Sequence, residues 1–234
     1  MLNQIKKEFQ EKANPEKSKI LQGFFKTGKG EYGEGDIFLG ITVPEQRKIA
    51  KKYTRLPLTQ LKKLLTSKFH EHRLTSLIIL TQKYTNAISE KKKEIYDFYL
   101  SKTKNINNWD LVDLSAPTIV GAYLLDKPRT KLYQLANSKD LWEKRIAIIS
   151  TYALIRNNQF EDTLRISEVL MHDKHDLIHK AVGWMLREVG KRNQQTLESF
   201  LKKHHKHMPR TMLRYAIEKF PQSKRKYYLQ KQSK

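Results

Sequence analysis

Cysteine is absent from the chain, which excludes disulfide frameworks and thiolate metal sites and makes a reducing cytoplasm the expected compartment. No stretch approaches the roughly 20 apolar residues of a membrane helix. The N-terminus is no signal peptide either, because Leu2, Ile5 and Phe9 are interleaved with Lys6, Lys7 and Glu8 as in an amphipathic helix. A soluble protein is expected. Acidic residues are few, 24 Asp and Glu against 46 Lys and Arg, for a net charge of +22. An excess of this size suits a polyanionic partner. The cations run the whole length and no helix joins a basic face to a large apolar one, so nucleic acid is favoured over an acidic membrane surface. The apolar fraction of 38% is also low, which fits an elongated array better than a compact barrel. The expected organisation is one domain over 1–234.

Strand-like alternation is scarce, and helical periodicity is present almost throughout. It predicts helices near 2–13, 15–26, 43–53, 58–66, 70–84, 89–103, 108–125, 128–137, 140–156, 159–171, 175–192, 194–206, 209–219 and 222–230. Start signals support them. Asn14 precedes Pro15, Thr42 stands three before Glu45, Asp140 three before Glu143, and Asn158 three before Glu161. Short breaks join the helices, and pairs recur at roughly 30 to 40 residues, the spacing of stacked helical hairpins. The fold class expected is all-α, an α-α superhelix of HEAT-like repeats with a concave face able to cradle duplex DNA. The glycine-bearing stretch Thr27–Asp36 lacks a Gly-Lys-Ser/Thr and a preceding strand, so it reads as a connector and not a phosphate loop. Lys224 to Lys234 reads as a solvated basic tail.

Trp109 and Asp113 stand four apart, so a helix sets an aromatic face beside a carboxylate. In so basic a chain an acid on the binding face repels its own ligand. Asp113 therefore either makes a structural bond or supplies negative charge for chemistry. In helix 108–125, Leu111, Leu114, Thr118, Ala122 and Leu125 form the apolar face, and Pro117 removes the hydrogen bond to carbonyl 113, bending the helix there. In helix 175–192, Ile178, Val182, Met185, Leu186 and Val189 face the core, while Trp184 falls among Lys180, Arg187, Glu188 and Lys191 as an exposed indole in a cationic strip. Burial against an adjacent helix is the alternative for it. In helix 140–156, Trp142, Ile146, Ile149 and Ala153 form an apolar stripe bordered by Arg145, which can fork onto a phosphate or pair with a carboxylate. Arg210 and Arg214 align after Pro209 as a phosphate clamp or an ordinary basic surface. His175 and His179 have spacing that permits a shared metal with Asp173 or Asp176, but no metalloprotease motif flanks them, and neither metal nor cofactor is expected.

The segments Phe38–Ile41 with Val43–Lys48, Asn108–Asp113, Leu141–Ala147 and Lys180–Glu188, in that order, resemble the AlkD family of bacterial DNA glycosylases over nearly the full chain. The resemblance implies a superhelix of HEAT-like repeats gripping duplex DNA that contains cationic alkylpurines such as 3-methyladenine and 7-methylguanine. It also implies hydrolysis of the N-glycosidic bond without a base pocket, unlike enzymes that flip the target base. Asp113, Trp109, Trp184 and Arg145 are the catalytic positions it implies, with Arg47, Lys180, Arg187, Lys191, Arg210 and Arg214 along the DNA. The family's aromatic residue in the second helix corresponds to Phe24 or Phe25, neither of which has a hydroxyl. A monomer in the bacterial cytoplasm with no obligate protein partner is implied as well. The rival reading is a non-catalytic HEAT-like protein that binds DNA or RNA of distorted or branched structure.

Both readings predict salt-sensitive binding. The logarithm of the duplex DNA binding constant should fall linearly with the logarithm of salt, with a slope of about −0.9 per phosphate contacted. Anisotropy titrations at several salt concentrations read this directly, and a flat response would exclude a phosphate-gripping surface.

Overall fold

The computed structural model describes residues 1–230. The helices are α1 Leu2–Glu11, α2 Pro15–Phe24, α3 Val43–Lys52, α4 Leu58–Leu65, α5 His70–Thr85, α6 Ser89–Leu100 and α7 Trp109–Ala116, followed by α8 Thr130–Ala136, α9 Leu141–Arg156, α10 Glu161–Leu170, α11 Asp176–Arg192, α12 Gln194–His204, α13 Arg210–Ala216 and α14 Gln222–Leu229. Among the described residues the only β-pairing is an isolated parallel bridge between Ile37 and Phe69. The expected all-α class, an α-α superhelical repeat fold, holds. None of these helices is long and apolar enough to cross a membrane.

The chain divides into two compact units, Met1–Ile119 and Val120–Lys234. In the first, α3 packs on α5 and α5 on α7, with α4 and α6 against α5. In the second, α9 packs on α11 and α11 on α13, while α8, α10 and α12 flank that row. Each unit is thus a stack of alternate helices backed by the intervening ones, the arrangement by which a repeat buries a face it cannot bury alone. The candidate residues all fall on the stacked rows. Arg47 is on α3, and Trp109 and Asp113 are on α7; in the second unit Arg145 is on α9, Lys180, Trp184, Arg187 and Lys191 on α11, and Arg210 and Arg214 on α13.

Two helices are buried nearly all round. On α5 the run His70 to Leu80 is buried, and on α9 so are Trp142, Arg145 to Thr151, Leu154 and Ile155. The expected stripe on α9 is therefore too narrow, and Ala153, placed in it, is only half-buried. On α11 the five expected core residues are all buried.

Three of the four start signals act as caps. The Asn14 side chain accepts from Lys17 N, Asp140 accepts from Trp142 N and Glu143 N, and Thr42 donates to Glu45 through its N–H and hydroxyl. Asn158 does not cap α10. It has φ of 57° and turns the chain three residues before Glu161, an alternative use of Asn, which tolerates the left-handed region. The helix expected over 108–125 is also interrupted. After Pro117 the chain runs as a π-helix, Pro117–Gly121, because the proline cannot donate to carbonyl 113. The wider turn shifts the buried face, so Ile119, Val120 and Leu124 are buried while Ala122 is exposed. The basic tail is a helix to Leu229, with Tyr228 buried; residues 231–234 lie outside the described residues.

The connector ahead of α3 is held by one carboxylate. Glu71, fully buried on α5, accepts from the N–H groups of Leu39, Gly40 and Ile41 at 2.8 to 3.3 Å. Gly40 has φ of 84°, and a Cβ there would lie 2.1 Å from the Asn14 carbonyl oxygen, so only glycine fits. Glu71→Gln replaces a double acceptor with an amide that also presents N–H to N–H. It should lower unfolding free energy by about 3 kcal/mol, read from urea midpoints, and loss of less than about 1 kcal/mol would show that the charge is not needed.

Candidate functional site

The first turn of α7 is anchored on both sides of Trp109. Asn108 precedes the helix, its side-chain oxygen accepting from Trp109 N at 2.8 Å and its amide donating to Asp36 at 3.4 Å. On the other side, Asp110 Oδ1 accepts from Leu111 N at 2.9 Å and Asp110 Oδ2 lies 2.8 Å from His70 Nε2. His70 Nδ1 in turn lies 3.0 Å from Asp36 Oδ2, and Arg73 donates to Asp36 Oδ1 at 2.6 Å. Burial opposes a charge on His70, but the Asp110 charge and the bonds to Asp110 and Asp36 prevail against it and against Arg73, raising its pKa to about 9. Burial likewise works to raise the Asp36 carboxyl, yet His70 and Arg73 hold it below its ordinary value. His72, two residues along, goes the opposite way. It sits against Phe9 and Phe69 with no carboxylate partner, and burial, with Lys6 and Arg73 nearby, pushes it down to about 4.

Trp109 is the outer member of an aromatic stack. Phe25 lies parallel to it at 5.2 Å, Phe38 is parallel to Phe25 at 5.0 Å, and His70 is stacked on Phe38 at 4.4 Å. Phe24 meets the Trp109 ring edge-on at 6.0 Å. Exposure separates the two candidates on α2, at 8% for Phe25 and 61% for Phe24. Phe25 is therefore part of the support beneath Trp109, and Phe24 is the ring open to a ligand. Asp113 lies one turn along α7 from Trp109 and is half-buried. Its charge reaches Tyr99, whose hydroxyl pairs with Ser115 at 3.0 Å; burial pushes that phenol up despite Ser115, and Asp113 adds to the shift. A cavity of about 380 Å³ opens beside this assembly, between α2, the Phe38–Pro44 stretch and α5, with Asp110 in its wall and Lys17 at its rim.

In the second unit the cations are more heavily paired than an open strip would be. Trp184 is half-buried, not exposed, with Tyr152 at 6.3 Å and its Nε1 donating to Glu188 at 3.1 Å. Glu188 also takes Lys191 at 2.7 Å, Arg187 pairs with Glu218, and Lys180 pairs with Asp176 at 2.6 Å. Arg145 is 5% exposed and donates from Nη1 to the Leu177 carbonyl at 2.7 Å, which ties α9 to the first turn of α11. Arg47, Arg210 and Arg214 are exposed. His175 serves as the α11 cap, accepting from Leu177 N, and His179 bonds the Asp173 carbonyl.

Trp109 and Asp113 share α7 as their spacing of four predicts, whereas the network of Asp36, His70, Arg73 and Asp110 and the anchoring of the connector by Glu71 were not foreseen. A signal was available in His70-Glu71-His72-Arg73, four titratable residues in a row opening a helix whose next turns are apolar.

The described residues define an all-helical repeat protein of strongly cationic composition, with an aromatic and a carboxylate one turn apart on α7. The comparisons define it further. The family model described as DNA alkylation repair enzyme matches residues 5–220, and the chain belongs to that family. A solved structure of a predicted DNA alkylation repair enzyme from Enterococcus faecalis shares the fold, with a TM-score of 0.71 and 19% identity over 90% of this chain and 98% of that one. No curated protein sequence matches the chain.

The stack around Trp109 separates support from contact. Phe25→Ala should cost about 3 to 5 kcal/mol of stability through the cavity it leaves, and Phe24→Ala about 0.5 kcal/mol or less while weakening DNA binding or turnover. Thermal unfolding of both variants beside a DNA titration checks the pair; equal destabilisation would abolish the distinction.

Proposed function

We propose that this chain is a monofunctional DNA glycosylase of the AlkD kind, hydrolysing the N-glycosidic bond of cationic alkylpurines in duplex DNA. The observation that carries the reading is the placement of Trp109 and Asp113 one turn apart on α7, in a strongly cationic chain of the DNA alkylation repair family. The neighbouring carboxylate, Asp110, serves the scaffold, accepting from Leu111 N and facing His70.

The chemistry suits a single working carboxylate. Alkylation places positive charge on the purine, so as the C1′–N bond breaks its electron pair neutralises the leaving base, and little acid assistance is needed. Positive charge then develops on the deoxyribose. Asp113 stabilises that cation and positions the water that adds to C1′, its carboxylate taking the proton that the water loses and passing it to solvent. Sugar hydrolases ordinarily need a second carboxyl as acid, a part the charged leaving group makes dispensable here. Trp109, backed by Phe25, offers its ring to the sugar, where a face favours positive charge. In the second unit, Trp184 is assigned to sugar contact, Arg145 to a phosphate for which it exchanges its bond to the Leu177 carbonyl, and Arg210 and Arg214 to the backbone, as is Arg47 in the first unit. Lys180, Arg187 and Lys191 contribute by exchanging their present carboxylate partners for phosphate.

Release of 7-methylguanine and 3-methyladenine from methylated duplex DNA should be at least about 100-fold slower for Asp113→Asn under single-turnover conditions. Duplex affinity should be unchanged or tighter, because a repulsive charge is gone. No release by the wild type with binding retained would sink the enzyme reading and leave a non-catalytic DNA or RNA binder.

A further inference from the structure

We propose that His70 is a positioning residue that works as a buried imidazolium bridge, fixing the first turn of α7 and with it Trp109 and Asp113, so that the bridge titrates the proposed reaction off at alkaline pH. The inference rests on the glycosylase reading for its kinetic half only.

The geometry requires the cation. Each ring nitrogen of His70 faces a carboxylate oxygen, Nδ1 facing Asp36 at 3.0 Å and Nε2 facing Asp110 at 2.8 Å. Ionised carboxylates only accept, and a neutral imidazole has one N–H to give. A neutral His70 would set a lone pair against one of the two acids. The side chain is 1% exposed, so water cannot readily stand in for the missing proton. The groups facing it are few. They are Asp36 from the connector, Asp110 from α7 and Arg73 from its own helix, with the uncharged rings of Phe25 and Phe38 over its faces. Two acids, one guanidinium and one imidazolium sum to zero. Removing the imidazole proton leaves a buried negative charge.

The consequence reaches Trp109 along both peptide neighbours. Asn108 is tied to Asp36 and Asp110 to His70, so the residues on either side of the indole hang from one network. Asp113 follows one turn later on the same short helix. Loss of the proton costs His70 its bond to one of the two acids, and either loss loosens the first turn of α7, because Asp110 hangs from His70 and Asn108 from Asp36, and so moves both groups relative to a bound sugar. Phe25 couples the two a second way, touching His70 at 5.1 Å and stacking on Trp109 at 5.2 Å.

The test pairs a spectroscopic readout with a kinetic one. In wild-type protein labelled with ¹⁵N-histidine, both His70 ring nitrogens should carry protons near neutral pH, and the Trp109 indole N–H resonance, assigned with Trp109→Phe, should move with the His70 titration at about 9. Single-turnover release of 7-methylguanine, corrected for uncatalysed loss, should fall about tenfold between about pH 8 and about pH 10 in the wild type, as for one essential proton. His70→Gln, which cannot donate to both acids, should be about tenfold slower at neutral pH and should lack that alkaline limb. A neutral His70 at pH 7.5 would overturn the proposal whatever the activity, and so would an alkaline limb that survives unchanged in folded His70→Gln. If His70→Gln fails to fold, the wild-type resonances decide. If the wild type releases no base yet Trp109 tracks His70, the bridge stands and the glycosylase reading falls.

Discussion

The first unit depends on a charge network that is closed in the interior. Asp36, His70 and Arg73 are each 6% exposed or less, and Asp110 closes the set from α7. Any one of these charges taken alone out of water would cost several kcal/mol, and the set is tolerable because each has a partner of opposite sign at hydrogen-bond distance. Such a set adds little net stability over a well-packed apolar core. What it adds is register, because only one arrangement of the connector, α5 and α7 pairs every member. The Glu71 carboxylate does the same for the next stretch of the connector, gathering three backbone N–H groups that no helix or sheet could serve. The irregular chain between α2 and α3 is thereby as determined as the helices around it.

Charge is organised differently in the second unit. A net +22 suggests a surface crowded with free cations, yet on α11 Lys180, Arg187 and Lys191 each meet a carboxylate. At the protein surface such pairs contribute about 1 kcal/mol or less and are weakened by salt. A phosphate backbone, with its high line charge and counterions to release, competes well against them. The pairs therefore hold long side chains in place at low cost and leave them able to take up the DNA contacts proposed for them. Glu188 is the centre of this arrangement, since it holds the Trp184 indole and Lys191 together.

Local physics made most of the fold legible in the sequence. Apolar periodicity and caps act within a few residues, so Asn14, Thr42 and Asp140 announced their helices. Asn158 misled because the same side chain that caps a helix also stabilises a left-handed turn, and only the packing of the following residues selects between them. Pro117 announced a lost hydrogen bond, but not that the chain would answer with a π-helix. At the end of that π-helix buried Gly121 approaches α9 so closely that a Cβ would lie 2.1 Å from the Ser150 carbonyl oxygen, a contact no window of sequence contains. The Trp109–Asp113 pair was legible from its spacing of four. The network beneath it was not, since His70 joins residues 34 and 40 positions away.

If Asp113 acts as proposed, the same network bears on how a carboxylate can stand beside DNA phosphates in a basic protein. A negative charge beside phosphates weakens ground-state binding, and uniform attraction by the other cations offsets that loss. Interactions equal in ground and transition state do not accelerate the chemical step. In the proposed mechanism Asp113 differs, because the positive charge it stabilises develops on the sugar as the bond breaks, so its contribution falls on the transition state. For that selectivity the carboxylate must keep its place between turnovers. A helix end pinned by Asn108 on one side of Trp109 and by Asp110 on the other limits its motion. In the proposed mechanism, the charge network that fixes the start of α7 is thus what keeps Asp113 where it can act on a developing cation.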